Sequence, residues 1–413
     1  MTAISELQQK HEHFKSLSLK LNMERGQPAD ENFDLSQKLL SAIDENNYIT
    51  DSGVDIRNYP GGVAGLREAR EMFCEQLGVA PSEILVGNNA SLELMSHFLT
   101  WALLRGVKGS DHGWLQDKPK LIVTVPGYDR HFGLAAELGY ELVTVQMTEE
   151  GPDMDAVEKL VADDASIKGI YFVPTYSNPT GDTLSPEFAK RLVNIKAAAP
   201  DFTIFADDAY AVHHLIDNPI PAPNLLSIAK ADGHADRVIL FGSTSKVTFA
   251  SAGIALAGMS EANIAHWSKL LSVLTIGPNK AEQWRHVCFM RQYPGGLKGL
   301  MKDHAAILKP KFDAVQSALE QNLGNKNLAS WTSPTGGYFV SVQCKYPVAD
   351  RVIALAAEAG VALTPAGATY PKGIDPDNSN IRLSPTRPST ADIKKAMEVF
   401  TCCVELASAE FNQ

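Results

Sequence analysis

The chain has 413 residues, 45% of them hydrophobic and 21% charged, and carries a net charge of −11 at pH 7. That length allows roughly two or three structural units around a sizeable core, and the composition excludes a disordered or fibrous protein. The acidic balance, without any cluster of Lys and Arg, excludes a general nucleic-acid surface, so the expected partner is a small molecule.

From the amino end, residues 1–20 mix Glu, Lys, Gln and His and contain no apolar core of signal-peptide length. No later stretch reaches the ~20 apolar residues of a membrane span, and a cytoplasmic protein is expected. Short β-rich runs follow at 84–86, 121–125, 170–173, 203–206 and 238–241, with helix-like stretches at 92–105, 153–161 and 186–199 between them. This alternation of continuous apolar strands with helices predicts a mainly parallel sheet covered on both faces. Asn89, Tyr128, Asn178, Asp207 and Ser243 fall just after the runs, where open α/β sheets bind ligands. Beyond about Gly296 the texture changes to a helical stretch at 300–322, strand-like runs at 337–343 and 380–383, and a closing helix from Thr390 to about Ser408. This predicts a smaller α+β domain, giving three segments: 1–55 as an amino-terminal arm and part of the small domain, 56–296 as the large domain, and 297–413 as the rest of the small one. Cys74, Cys288, Cys344, Cys402 and Cys403 form no CxxC pair. They are expected to be reduced and mostly buried, with no zinc or redox role.

Five segments carry possible chemistry. Gly242-Ser243-Thr244-Ser245-Lys246 follows a strand and offers hydroxyls and N–H groups to a phosphate beside a lysine; alone it reads equally as a polar turn. In Ala206-Asp207-Asp208-Ala209-Tyr210 a strand ends in two carboxylates, which suit either a protonated pyridine nitrogen or a helix start. Tyr176-Ser177-Asn178-Pro179-Thr180-Gly181 is by itself a turn signal. Gly87-Asn88-Asn89-Ala90-Ser91 opens a helix, where free N–H groups favour an anion. Arg382, inside the apolar run Asn380-Ile381-Arg382-Leu383, has the planar fork that grips a carboxylate, but by itself also reads as a surface arginine on a strand.

Taken in order, Tyr59-Pro60-Gly61-Gly62, Gly65-Leu66-Arg67-Glu68, Asn89-Ala90-Ser91, Pro126-Gly127-Tyr128, Asn178-Pro179-Thr180-Gly181, Asp207-Asp208-Ala209-Tyr210, Ser243-Thr244-Ser245-Lys246 and Asn380-Ile381-Arg382 resemble fold-type I pyridoxal phosphate-dependent aminotransferases across nearly the whole chain. Within that family, Gly242 to Phe249 and Thr275-Ile276-Gly277-Pro278-Asn279-Lys280 are most like the divergent class Ic aspartate aminotransferases. The resemblance implies a seven-stranded, mainly parallel sheet in the large domain and pyridoxal 5′-phosphate held as a Schiff base on Lys246, which would also shuttle the proton. It implies that Asp207 keeps the pyridine nitrogen protonated, that Tyr210 and Asn178 bond the cofactor's 3′-oxygen, and that Tyr128 stacks on the ring. Ala90, Ser91, Ser243 and Ser245 would cradle the phosphate, Tyr59 would reach the phosphate of a neighbouring subunit in a homodimer, and Arg382 would grip the substrate α-carboxylate.

One departure stands out. Relatives place an arginine at the phosphate in the segment after the lysine, where Gly253-Ile254-Ala255 offers Ala255. Lys280, from this subunit or its neighbour, is a candidate replacement. The expected reaction moves the amino group of aspartate to 2-oxoglutarate by ping-pong kinetics, with Arg25, Lys280 or Arg291 as candidates for the distal carboxylate. Other acidic or aromatic donors, and β-elimination or decarboxylation on the same scaffold, are the alternatives. A non-catalytic effector-binding module is disfavoured, because the residues ahead of Tyr59 carry no basic recognition helix.

Overall fold

The computed structural model describes residues 3–59 and 62–413; Pro60 and Gly61 of the Tyr-Pro-Gly-Gly motif lie outside the described residues. Seven strands build one sheet: β1 (Ile84–Val86), β2 (Lys120–Val125), β3 (Glu141–Thr148), β4 (Ile167–Phe172), β5 (Thr203–Asp207), β6 (Val238–Ser243) and β7 (Ala255–Met259). Their spatial order is β1-β7-β6-β5-β4-β2-β3, and the two-residue strand Gly151–Pro152 adds an eighth, antiparallel member at the β3 edge. β2 pairs in parallel with β3 and β4, β4 with β5, and β5 with β6. β7 alone of the seven runs the other way, antiparallel to both β6 and β1.

The apolar runs are continuous because both faces of the sheet are covered. Successive residues of a strand point to opposite faces. Ile170, Phe172, Ile204, Ala206 and Leu240 therefore enter one core, while Tyr171, Phe205, Ile239 and Phe241 enter the other. The expected helix 186–199 is shorter, Pro186–Val193, although it begins as anticipated with Pro186 in its first turn and the Ser185 hydroxyl accepting from the Phe188 N–H. It stops early because Arg237 donates to the carbonyls of Val193 and Ile195, and the Ala198 N–H turns away to Val161 O.

A second core gathers Phe312 and Val315 of the helix Gly296–Leu323, Ile393 and Phe400 of the helix Thr390–Phe411, and a three-stranded antiparallel sheet. That sheet is ordered β8 (Ala329–Trp331), β9 (Val340–Cys344), β10 (Asn380–Leu383). The strand expected at 337–343 starts at Val340. Phe14 and Met23 join this second core, whereas Leu39 and Ala42 pack against the large sheet. The helix Gly296–Leu323 spans the two, with Leu300 and Met301 in the first core and Leu308 onward in the second. Four of the five cysteines are buried and all five are free. Among the described residues no helix is long and apolar enough to cross a membrane, and no group of three or more His, Cys, Asp or Glu could hold a metal ion.

Candidate active site

The parallel strands β1, β2, β4, β5 and β6 deliver their following residues to one edge of the sheet, as the topology of an open α/β sheet requires. A cavity there is lined by Ser91, Leu92, Met95, Tyr128, Val173, Asn178, Asp207, Ala209, Tyr210 and Lys246. Residues up to 155 positions apart in the chain, from Ser91 to Lys246, thus share one wall-to-wall space.

Asp207 is the last residue of β5 and is 3% exposed. Its Oδ2 is hydrogen-bonded to His131 Nε2 at 2.9 Å, and the imidazole stacks on the Tyr171 ring with centroids 3.7 Å apart. Its Oδ1 is buried with no partner among the described residues. A carboxylate only accepts, and a buried acceptor left unmatched costs roughly 1–3 kcal/mol, so the position fits a protonated ring nitrogen in the cavity. The Lys246 Nζ stands 5.0 Å from the centroid of the Tyr210 ring. Burial pushes the Tyr128 phenol up to about 12, an effect partly offset by the nearby Lys246 charge, and burial raises the Tyr210 phenol as well. Both hydroxyls therefore remain protonated donors at neutral pH.

The lysine is held by its backbone. The Lys246 carbonyl accepts from the Tyr338 hydroxyl at 3.4 Å and lies 3.3 Å from His213 Nε2. On the other side of the same turn, His286 Nε2 lies 3.1 Å from Thr244 Oγ1 and 2.9 Å from Thr248 Oγ1. Burial, reinforced by His304 nearby, drives the His213 imidazole down to about 3. Its folded value lies below the 6.5 of a free histidine, so the unfolded chain binds the extra proton first, and the stabilisation present above pH 6.5 is lost as pH falls. Between pH 6.5 and 5 this loss is expected to be about 1.5 kcal/mol. Urea midpoints across that range should fall less steeply for His213→Asn than for the wild type; equal slopes would contradict the assignment.

An anion cup lies beside the lysine. Ala90 is the extended N-cap residue of the helix Ser91–Arg105, whose first N–H groups are open. Ser243 closes β6, its hydroxyl accepting from the Ser245 N–H at 3.2 Å, while the Ser245 hydroxyl donates to Asn89 Oδ1 at 3.0 Å. A Cβ on Gly253 would stand 3.0 Å from both the nitrogen and the hydroxyl of Ser245, so glycine keeps this wall from being pushed inward. Ala255, directly opposite Ser243 in the β6–β7 register, brings no charge.

Arg382 is 8% exposed in β10 and is no surface arginine. Its Nη1 donates to Asn178 Oδ1 at 3.2 Å and its Nε to Thr364 Oγ1 at 3.3 Å; the guanidinium lies 5.0 Å from the Phe339 ring centroid, and Asp129 is 3.7 Å from Nη1. Because Asn178 accepts from Arg382 through its oxygen, its amide N–H groups are left to face another acceptor. Among the cations considered for a distal carboxylate, Arg291 is paired with Asp51 at 2.7 Å. Among the described residues Arg25 has as its carboxylate partner its neighbour Glu24 at 3.8 Å, and its side chain is 69% exposed. Arg25 also lies close to Arg382, since Thr364, which accepts from Arg382, donates to the Glu24 carbonyl at 2.7 Å. Tyr59 is 83% exposed and does not line this cavity.

Sequence reasoning missed His131, Tyr338, Phe339 and Thr364. His131 had a readable signal: it lies three positions after Tyr128 in the helix Asp129–Glu137, a spacing that puts two side chains on one face. The others come from the second core, and only folding brings them to the large sheet.

The family model for aspartate amino-transferase matches residues 1–413. The chain is 39% identical over 406 residues to an aspartate aminotransferase of Corynebacterium glutamicum, covering 98% of this chain and 93% of that one. The crystal structure of an aspartate transaminase from Corynebacterium glutamicum superposes with a TM-score of 0.95 at 38% identity, covering 99% of this chain and 96% of that one. An α-aminoadipate aminotransferase of Thermus thermophilus, solved with N-(5′-phosphopyridoxyl)-L-leucine, shares the fold at 21% identity, with a TM-score of 0.77 over 95% of this chain and 93% of that one. A cavity built from the ends of parallel strands, and these likenesses along the whole chain, converge on one conclusion: this chain is an aminotransferase of fold-type I and belongs to the aspartate aminotransferase family.

Proposed function

We propose that the chain transfers the amino group of L-aspartate to 2-oxoglutarate by a ping-pong cycle, with pyridoxal 5′-phosphate carried on Lys246. The observation that carries this reading is the unmatched Oδ1 of Asp207 in the cavity that Lys246 also lines. When bound, pyridoxal phosphate supplies an aldehyde that takes up amines and a protonated ring that draws electrons from the substrate α-carbon. Asp207 Oδ1 would accept the ring N–H and keep that proton in place. Lys246 would hold the cofactor, and its amine is the group that would move the proton at the substrate α-carbon. Tyr210 and the Asn178 amide would donate to the 3′-oxygen, Tyr128 would pack on the ring, and Ala90, Ser91, Ser243 and Ser245 would hold the phosphate. Arg382 grips the α-carboxylate through its fork.

The exposed Tyr59, together with Val273, Leu274 and Ile276, which are 78%, 50% and 65% exposed, supports a homodimer in which Tyr59 enters the neighbouring site. The cores on the two faces of the large sheet and the separate carboxy-terminal core support a large domain around residues 56–296 and a small one around 297–413, with 1–55 shared between them, since Phe14 and Met23 pack in the small core and Leu39 and Ala42 against the large sheet, and a cytoplasmic location fits the same reading. An acidic donor is supported by Arg25 close to Arg382 and by the identity to the Corynebacterium glutamicum enzyme. A charged contact of this kind contributes about 1.5–3 kcal/mol, so kcat/KM for aspartate should exceed that for alanine by roughly 10- to 100-fold. The test is to mix the holoenzyme with aspartate alone and then to add 2-oxoglutarate. One equivalent of oxaloacetate per site, with no free ammonia, followed by glutamate on the second addition, is expected. Alanine and carbon dioxide, or fumarate and ammonia, formed from aspartate alone would replace the reading with a lyase, and preference for an aromatic donor would replace aspartate.

A further inference from the structure

Among the described residues assigned to it, the phosphate cup has hydroxyls and a helix N-terminus but no cation of its own, since Lys246 would be taken up by the aldehyde and position 255 is alanine. A phosphate carries close to two negative charges at neutral pH. Next to this cup lies a cation in the opposite predicament. Lys280 is 3% exposed, and among the described residues its Nζ has the Gly62 carbonyl at 3.3 Å and no carboxylate. Burial alone drives its ammonium down to about 8. A buried charge without a counter-charge is costly, and so a lysine kept in this place calls for an anion.

The chain ties this lysine to the cup through Asn88. The Asn88 side-chain oxygen accepts the Asn279 N–H at 2.8 Å, fixing the residue before Lys280. The Asn88 carbonyl accepts the Ala255 N–H at 2.8 Å, and the next residue, Asn89, holds the Ser245 hydroxyl. One turn into the helix Lys280–Gln292, Gln283 donates to the Val86 carbonyl at the end of β1. The helix bearing Lys280 is thus docked on the strand that leads into the cup.

We infer that Lys280 is the cation that receives the cofactor phosphate, supplying the charge that position 255 lacks. This rests on the functional reading above and extends it to a residue outside the cavity described. Its test compares pyridoxal 5′-phosphate with pyridoxal, which differs only in lacking the phosphate, by titrating each onto the full-length chain prepared free of cofactor. Lys280→Met should bind the phosphate ester about 10- to 100-fold more weakly than the wild type while its affinity for pyridoxal stays unchanged, and Lys280→Arg should restore most of the loss. If Lys280→Met does not fold, Lys280→Gln is put through the same pair of titrations. A ratio of the two affinities equal to that of the wild type overturns the inference, all the more so if the KM for aspartate alone rises, which would give Lys280 to the substrate's distal carboxylate. Failure of the wild type to bind either compound through Lys246 would instead bring down the functional reading, and this inference with it. Hybrids of Lys280→Met with Lys246→Ala protomers tell which subunit's phosphate is served: normal affinity at the remaining Lys246 places Lys280 in the second copy's site, and weak affinity in its own. Either result supports the charge assignment.

Discussion

Replacing Lys246 with alanine should abolish the visible absorption band that pyridoxal phosphate gives with the wild-type chain, and should lower amine transfer by roughly 10²- to 10⁴-fold from the lost proton transfer alone. The argument is geometric. Lys246 follows β6 on a turn fixed by Thr244, His213 and Tyr338, so its amine is presented to the cavity from one direction. Lys280 is buried on the Gly62 carbonyl and cannot take its place. Shortening a half-buried side chain that lines a cavity leaves no void in either sheet core, so the variant should fold, and an unchanged thermal midpoint would confirm that. Adding aspartate to the wild type should shift the band to shorter wavelength, and the variant should not respond. A visible band that survives in Lys246→Ala would end the assignment, because no other residue on this wall offers an amine. A wild-type band that ignores aspartate would leave the lysine in place and remove the donor.

The parts of this site that could be read in the sequence are those that a strand end delivers directly. Asn178, Asp207, Ser243 and Lys246 follow apolar runs that are continuous because both sheet faces are buried, and that pattern survives in one dimension. β3 was not legible because it lies toward the sheet edge, with only Val145 of its eight residues buried and no continuous apolar run, and β7 because Ala255, Ala257 and Gly258 have weak β preference. The choice between Asp207 and Asp208 came from resemblance alone. Both carry a buried oxygen without a partner among the described residues, and the structure distinguishes them by place: Asp207 has His131 behind it and lines the cavity, whereas Asp208 does not line it. The arginine of β10 was ambiguous as sequence, since a strand arginine is usually solvated, and only the packing of the second core over Asn178 buries it. What the sequence could not supply at all was Lys280's surroundings, because its burial depends on segments more than 190 positions away at Gly62 and Asn88.

The other large effect is expected at Asp207. Asp207→Asn keeps the size and a contact to His131 but removes the charge that holds a proton on the ring nitrogen. Breaking one side of a buried ion pair costs about 3–5 kcal/mol, which corresponds to a fall in kcat of roughly 10²- to 10⁴-fold. KM for aspartate should change much less, because the proposed grip of Arg382 on the substrate carboxylate does not involve the ring. Asp208→Asn supplies the control for a general loss of charge. Burial, with a smaller contribution from Asp207, pushes the Asp208 carboxyl up to about 7, so near neutral pH much of it is already uncharged and conversion to the amide removes little. Its kcat should therefore stay within a few-fold of the wild type. Half-reaction rates with aspartate, measured for both variants at the same cofactor occupancy, separate the two neighbours. If Asp207→Asn turns over within about tenfold of the wild type, the unmatched oxygen has some other partner, and the chemistry assigned to the cavity loses its electron sink. If only Asp207→Asn is slow, the division of labour between adjacent carboxylates is set by which of them faces the cavity, a distinction made by the pleat of β5 and the histidine behind it.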